Sequence, residues 1–351
     1  MPKERNQFVD IMRGVAMLLV VLGHTMTGST ANSQSSFLFN IIWSLQMPLF
    51  ILISGYVTRY SRAISKFGDL MKFLVKRTLA YLLPFAVWSF LIRGLILRQS
   101  VFFDIKYMLW HIDSGYWFLI TIWTISVIFG ISSLVSSLAK KEIVKQILTA
   151  AVYVCGMAVL ALIGYFAGMT FLGIKLTLYY MPFYFAGYLY GQYRDKIFAL
   201  KYGNTAVDII VALSAALWIY LLTRANMFNL PDGGKYIIVR AGASLFGCIA
   251  LCGVLRGVFA AAEGKKRSRS PLVWAGKHSL EIYLSHYLFL CLVKTQSLPD
   301  FWTIKGVAFV AANYVLTLVI TVLVIKLTNV GKTLPLCLYG KKQKTTLIAS
   351  E

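Results

Sequence analysis

Ten long stretches of mostly apolar residues constrain this chain more than anything else in it. They run approximately over 9–28, 37–57, 79–97, 116–138, 146–168, 174–192, 206–223, 236–260, 279–293 and 304–327. A helix of about 20 apolar residues matches the hydrocarbon thickness of a bilayer, and in lipid every backbone polar group must be satisfied inside its own segment. The expected fold is therefore all-α: a polytopic membrane protein of about ten transmembrane helices. Composition agrees. Of 351 residues, 58% are hydrophobic and 14% charged, against about 45–50% and about 25% in ordinary soluble domains. Several stretches contain Gly or Ser, which lets helix backbones approach closely in a membrane.

The formal net charge of +22 invites a nucleic-acid reading, but the distribution of the charge argues against it. Lys and Arg concentrate in alternate connecting segments. Segments at one side, including both chain ends, hold 25 of the 35, and those at the other side hold 8. Such alternation over eleven segments is what the positive-inside rule predicts for ten crossings with both termini cytoplasmic. The N-terminus imitates a secretion signal, with basic residues before the apolar run Val15 to Gly23 and a cleavage-like site near Ala31. The charge alternation requires the first stretch, so it is read as a retained span. One membrane domain is expected over 1–335, followed by a short basic cytoplasmic tail over 336–351. Residues 58–78 are expected to form a cytoplasmic amphipathic helix, with Ile64, Phe67, Leu70, Met71 and Leu74 on one face. The 98–115 segment is the longest external loop.

Arg13 and His24 lie inside the first stretch. An ionisable group within a membrane helix costs roughly 2.5–3.5 kcal/mol on insertion scales, which marks it as a functional candidate. Eleven residues turn a helix by about 1100°, so the two side chains lie within about 20° of one face, ~16.5 Å apart along the axis. Asp10 and Met17 share that face. Unless the helix breaks at Gly14 or Gly23, the two groups cannot reach the same atom, but they can hold two ends of one long ligand. A neutral imidazole at depth suits a general base or a nucleophile; its structural alternative is a hydrogen bond to a neighbouring helix.

Other candidates carry weaker signals. His286 sits towards the external end of the ninth stretch, with Glu281 nearer the cytoplasm; it either lines a site or bonds across helices. His111 and Asp113 precede Trp117 in the long external loop, where they can orient a sugar for stacking on the indole, or can simply be solvated. Arg240 either snorkels outward or lines an acceptor path. Ser54-Gly55 reads as close packing rather than as a nucleophile, because the surrounding elbow pattern is missing. Cys248 and Cys252, at i and i+4, read as membrane-core packing, and no metal site is expected.

Several motifs together carry a resemblance. The Arg13-x10-His24 pattern, followed by Met47-Pro-Leu-Phe-Ile-Leu-Ile-Ser-Gly-Tyr56, resembles acyltransferase family 3 of integral membrane proteins, and most closely its bacterial sugar O-acetyltransferase branch, which includes fucose 4-O-acetylase-like proteins. Arg77 to Pro84, Tyr116 to Leu119, Met181 to Gly187 and Ser279 to His286 are similar to the same family. The resemblance implies transfer of an acetyl group from cytoplasmic acetyl-CoA to a carbohydrate hydroxyl in a bacterial inner membrane, with Arg13 and His24 as the essential pair. It implies that the membrane domain holds both acetyl-CoA and a glycan or lipid-linked glycan acceptor. Arg59, Arg62, Lys76 and Arg77 are candidates for the nucleotide end of the donor, since a guanidinium fork matches phosphate; contact with lipid headgroups is their alternative. Arg77 stands above its neighbours because the family pattern matches there. Trp117, His286, His111 and Asp113 are candidates for the acceptor. A transporter or flippase of a lipid-linked glycan is the competing function; it predicts broken helices near the midplane and paired repeats, and neither is clear in the sequence. A scaffold or sensor without turnover would leave the Arg13–His24 spacing unexplained.

Overall fold

The computed structural model describes residues 6–96, 98, 105–112, 115–261, 270–331 and 333–341. Its elements are α1 (Gln7–Ser29), α2 (Phe37–Tyr56), α3 (Phe67–Ala86), α4 (Ile105–Trp110), α5 (Trp117–Ser136), α6 (Glu142–Ala167), α7 (Ile174–Ala199), α8 (Gly203–Arg224), α9 (Gly234–Ala261), α10 (Pro271–Lys277), α11 (Ser279–Ser285), α12 (Ile304–Thr328) and α13 (Thr333–Tyr339). Among the described residues there is no β-strand, only an isolated bridge between Ala31 and Asp300. Among the described residues, eight helices are long and apolar enough to span a bilayer. The chain is an all-α polytopic membrane protein.

Two of the ten expected spans take a different form. α7 is a continuous 26-residue helix, but its six tyrosines lower its apolar character below that of the others. The ninth is not one helix. It breaks into α10, α11 and a 3-10 turn over His286–Phe289. The expected cytoplasmic helix over 58–78 is also redrawn. Residues 57–60 form a 3-10 turn, and α3 starts at Phe67 and runs through position 78 to Ala86, continuing as a wider π-helical turn over Val87–Ile96. Asp69 caps its start by accepting from the Lys66 backbone N–H.

The helices fall into two compact units. One comprises residues 1–60 and 182–325, the other 61–181 and 326–351. In the first, α1 packs on α2, α9, α10 and α11, and α8 packs on α9. Two of its crossings depend on glycine. A Cβ on Gly276 of α10 would overlap the Asp10 carbonyl of α1, and one on Gly14 would overlap the Leu272 carbonyl. Likewise a Cβ on Gly55 of α2 would strike the Tyr184 carbonyl of α7, and one on Gly187 the Leu52 carbonyl. Backbones touch at both crossings, as small residues permit in membranes. Ser54 fits the packing reading: its Oγ donates to the Phe50 carbonyl at 2.8 Å.

In the second unit α5 packs between α3 and α6. Trp123 Nε1 donates to Thr78 Oγ1 at 3.1 Å, and Tyr153 OH to the Met181 carbonyl at 3.0 Å. Trp88 Nε1 donates to the Leu338 carbonyl at 2.8 Å, and the buried Tyr339 hydroxyl meets Thr328 Oγ1 at 2.6 Å. Residues 336–339, the start of the expected tail, thus belong to α13, which packs on α3. The rest of that tail from 342 lies outside the described residues.

Candidate active site

Two side chains mark the start of α1. Asn6 Oδ1 accepts from the backbone N–H groups of Phe8 and Val9 at 3.0 and 3.3 Å, an N-cap. Asp10 follows in the first turn, where a carboxylate suits the positive end of the helix. The helix then runs unbroken through both Gly14 and Gly23. Arg13 and His24 therefore keep the separation along one stripe that a regular helix imposes. Arg13 is half-buried and His24 exposed.

What meets this stripe is the broken segment. The Gly14–Gly276 crossing sets α10 against the Asp10 end of α1. Ten residues further on, His286 lies beside His24, with ring centroids 5.6 Å apart and planes tilted by 36°. Tyr287 meets His24 edge-on at 5.8 Å. The segment thus runs alongside α1 in the same direction, and it carries its own polar residues. Glu281 is fully buried and its Oε1 lies 2.9 Å from His278 Nδ1. The His278 ring stacks on Trp274 at 4.5 Å. Ser285, also fully buried, donates to the Glu281 carbonyl at 2.7 Å.

The break itself has visible causes. Thr317 of α12 donates to the Phe289 carbonyl at 2.9 Å. The buried Asn313 clamps Val293 from both sides, accepting from its N–H at 3.0 Å and donating to its carbonyl at 3.2 Å, and it also donates to Ser29 Oγ at 3.1 Å. These side chains take over backbone groups that a continued helix would have satisfied. Cys291, at φ 56°, makes the turn between them. Asn313 was not singled out from sequence; the signal available was a polar residue inside an otherwise apolar stretch.

The remaining candidates divide between the units. In the first unit, the Arg59 guanidinium pairs with Asp195 and lies over the rings of Tyr56 and Tyr60 at 5.7 and 5.3 Å. That contact holds the exposed Asp195 carboxyl below the usual carboxylate range. Asn6 Nδ2 donates to Tyr60 OH at 3.2 Å, tying this cluster to the start of α1. In the second unit, Arg62 and Lys76 are exposed. Arg77 is half-buried over Phe73 at 5.0 Å and donates to Tyr81 OH at 3.1 Å. Trp117 stacks on Tyr180 at 5.5 Å, so one face of its ring is covered. His111 is exposed and stacks on Tyr107 at 4.0 Å, with its Nδ1 3.0 Å from the Tyr107 carbonyl. Asp113 lies outside the described residues. Arg240 does not snorkel freely: it donates to the Met227 and Leu230 carbonyls at 3.0 and 2.7 Å and closes the α8–α9 connection. Among the described residues no group of three His, Cys, Asp or Glu is arranged to hold a metal ion.

A helical membrane protein with an arginine and a histidine on one stripe, and a second histidine from a broken segment beside the first, has the makings of a group-transfer site within the bilayer. The chain belongs to the acyltransferase 3 family: the model of that family, described as an acyltransferase domain, matches residues 6–326. Its all-α fold, with helices able to span a bilayer, agrees with that membership. Among curated proteins it is similar to Nodulation protein NolL of Sinorhizobium fredii (strain NBRC 101917 / NGR234), 28% identical over 204 residues, which cover 54% of this chain and 49% of the relative. Nodulation protein NolL of Mesorhizobium japonicum (strain LMG 29417 / CECT 9101 / MAFF 303099) is 26% identical over 199 residues, covering 54% and 48%. The chain thus spans about half the length of the curated relatives it matches. No solved structure matches it.

Proposed function

We propose that this acyltransferase is an O-acetyltransferase of a bacterial inner membrane, moving acetyl from cytoplasmic acetyl-CoA to a hydroxyl of an exported or cell-surface glycan, or of its lipid-linked precursor. The observation that carries this reading is the position of His24. It is exposed on the polar stripe of α1, eleven residues from Arg13, and a second imidazole lies against it. In the direct form of the step, His24 removes the acceptor proton as the hydroxyl oxygen attacks the thioester carbon; the C–S bond breaks and the thiolate leaves with that proton. In the two-step form, a lone-pair nitrogen of His24 attacks the thioester carbon, the C–S bond breaks and the thiolate leaves with the proton of the other ring nitrogen; the acyl-imidazole then passes acetyl to the hydroxyl oxygen, and the hydroxyl proton returns to His24.

The remaining residues have roles within this proposal. Arg13 lies towards the cytoplasmic end of α1 and holds the donor part-way along its arm. In the first unit Arg59, set over two tyrosine rings, is the candidate for the nucleotide phosphates; in the second, Arg77, over Phe73, with Arg62 and Lys76, is the candidate for the same role. Trp117, His111 and Asp113 serve the acceptor sugar. The basic segments keep both termini cytoplasmic.

Purified protein incubated with labelled acetyl-CoA and candidate glycans tests the reading. Label should enter the glycan, add the mass of one acetyl group and be released by mild base. His24→Ala should lose at least about 100-fold in rate, the usual contribution of a positioned base. Full activity in that variant would overturn both forms of the step, and an acetyl group trapped on His24 would select the second. A flippase of lipid-linked glycans is the second reading, favoured by the broken α10–α11 segment, since interrupted helices line transport sites. Glycan movement without label would select it.

A further inference from the structure

His286 is buried, 2% exposed, and its two ring nitrogens are not equivalent. Nδ1 lies 2.8 Å from the Ile282 carbonyl oxygen. A carbonyl only accepts, so Nδ1 carries the ring hydrogen and Nε2 is left as a bare lone pair. That Nε2 is itself buried and has no hydrogen-bond partner among the described residues. A buried acceptor without a donor is costly, and such an atom in a membrane core calls for an explanation. Beside it lies the one imidazole of the α1 stripe, that of His24. Tyr283 and Tyr287 approach His286 through their rings, at 6.2 and 6.3 Å.

We propose that His286 is a positioning residue for His24. This rests on reading His24 as the base or acyl carrier. The exposed His24 ring rotates so that its single N–H donates to His286 Nε2. Its other nitrogen then faces the substrates as a lone pair, which is the tautomer that either form of the step requires. Catalytic hydrogen bonds are often long before substrate is bound and tighten in the complex. When His24 takes the hydroxyl proton, the new positive charge is shared along His24 N–H, His286 Nε2 and the Ile282 carbonyl. The proton then passes from His24 to the departing thiolate. The bonds made are C–O and S–H, those broken C–S and O–H, and His286 gains and loses nothing. Asn313 and Thr317 pin the far end of the broken segment, which fixes His286 against the rotating ring.

His286→Leu removes the acceptor, and His286→Gln restores one near the Nε2 position. The expectation is a fall of about 100-fold in kcat for the Leu variant, with KM for acetyl-CoA and glycan unchanged, and recovery of about tenfold or more in the Gln variant. A second measurement needs no turnover. Diethyl pyrocarbonate labels neutral imidazoles, and mass spectrometry gives the labelling rate of His24 relative to the exposed His111 as internal reference. That ratio should fall about tenfold in His286→Leu and return in His286→Gln. Unchanged kcat in the Leu variant, equal impairment of Leu and Gln, or an unchanged labelling ratio would overturn the proposal. If wild-type protein transfers no acetyl group, the proposed activity fails, while the labelling ratio still decides the histidine pair.

Discussion

Asp300 is a single half-buried carboxylate, but it closes the connection between the broken segment and α12 onto the end of α1. Its Oδ2 accepts from Asn32 Nδ2 at 2.6 Å and its Oδ1 from the Trp302 N–H at 2.8 Å. These bonds, the Asn32 contact first, hold its pKa below the usual carboxylate value. A depressed folded pKa means that its contribution is fully present above the unfolded value of about 3.9 and is lost as pH falls through the folded value. Hydrogen exchange at Ala31 and Phe301, whose N–H groups bond to Pro299 and Ala31, should therefore accelerate below about pH 4. Asp300→Asn should show no such acceleration. His24 and His286, ionisable groups inside two different apolar stretches, come together in the fold. Residue identity was a poor guide for Arg240, which looks the same in sequence yet is used up on two loop carbonyls. The difference lies in which backbone groups fold back within reach, and local sequence does not encode that.

At the scale of elements, the motifs behind the family resemblance are largely points where helix backbones touch. Gly14 follows Arg13, Gly276 precedes His278, Gly55 is next to last in the second-stretch motif and Gly187 ends the sixth-stretch motif. Each leaves no room for a Cβ. Gly276→Val should destabilise by roughly 1–3 kcal/mol through overpacking. Gly257, which has nothing within 4 Å of the added carbon, gives the contrast. Gly257→Ala should be neutral or gain up to about 1 kcal/mol from helix propensity. Thermal unfolding in detergent compares the two. Spans one, two, four, five, seven to eight and ten were legible because apolar length alone defines a bilayer crossing. The ninth was not, because it breaks where Asn313 and Thr317 from another helix capture its carbonyls. α3 runs across the expected boundary at 78 because nothing in that stretch stops a helix before Pro84, and the π-helical turn follows that proline.

At the scale of the molecule, the charge alternation makes a prediction that the helices alone do not. In a cysteine-free background, a cysteine at Ser297 should react with an impermeant maleimide on intact cells, and one at Lys140 only after lysis. The reverse pattern would invert the topology and put the exposed end of the α1 stripe, with His24, at the cytoplasmic face. The division into two compact units assigns Arg13, His24, Arg59 and His286 to one, and Arg62, Lys76, Arg77, His111 and Trp117 to the other. Apolar length, basic alternation and the Arg13–His24 spacing are properties of the chain as written, because the bilayer selects on hydropathy and a helix turns by a fixed angle per residue. The partner of His24 is not such a property. A straight helix keeps Arg13 too far away, and the imidazole that does arrive comes from 262 residues along the chain. It is brought there by a glycine crossing at one end of a broken segment and an asparagine clamp at the other.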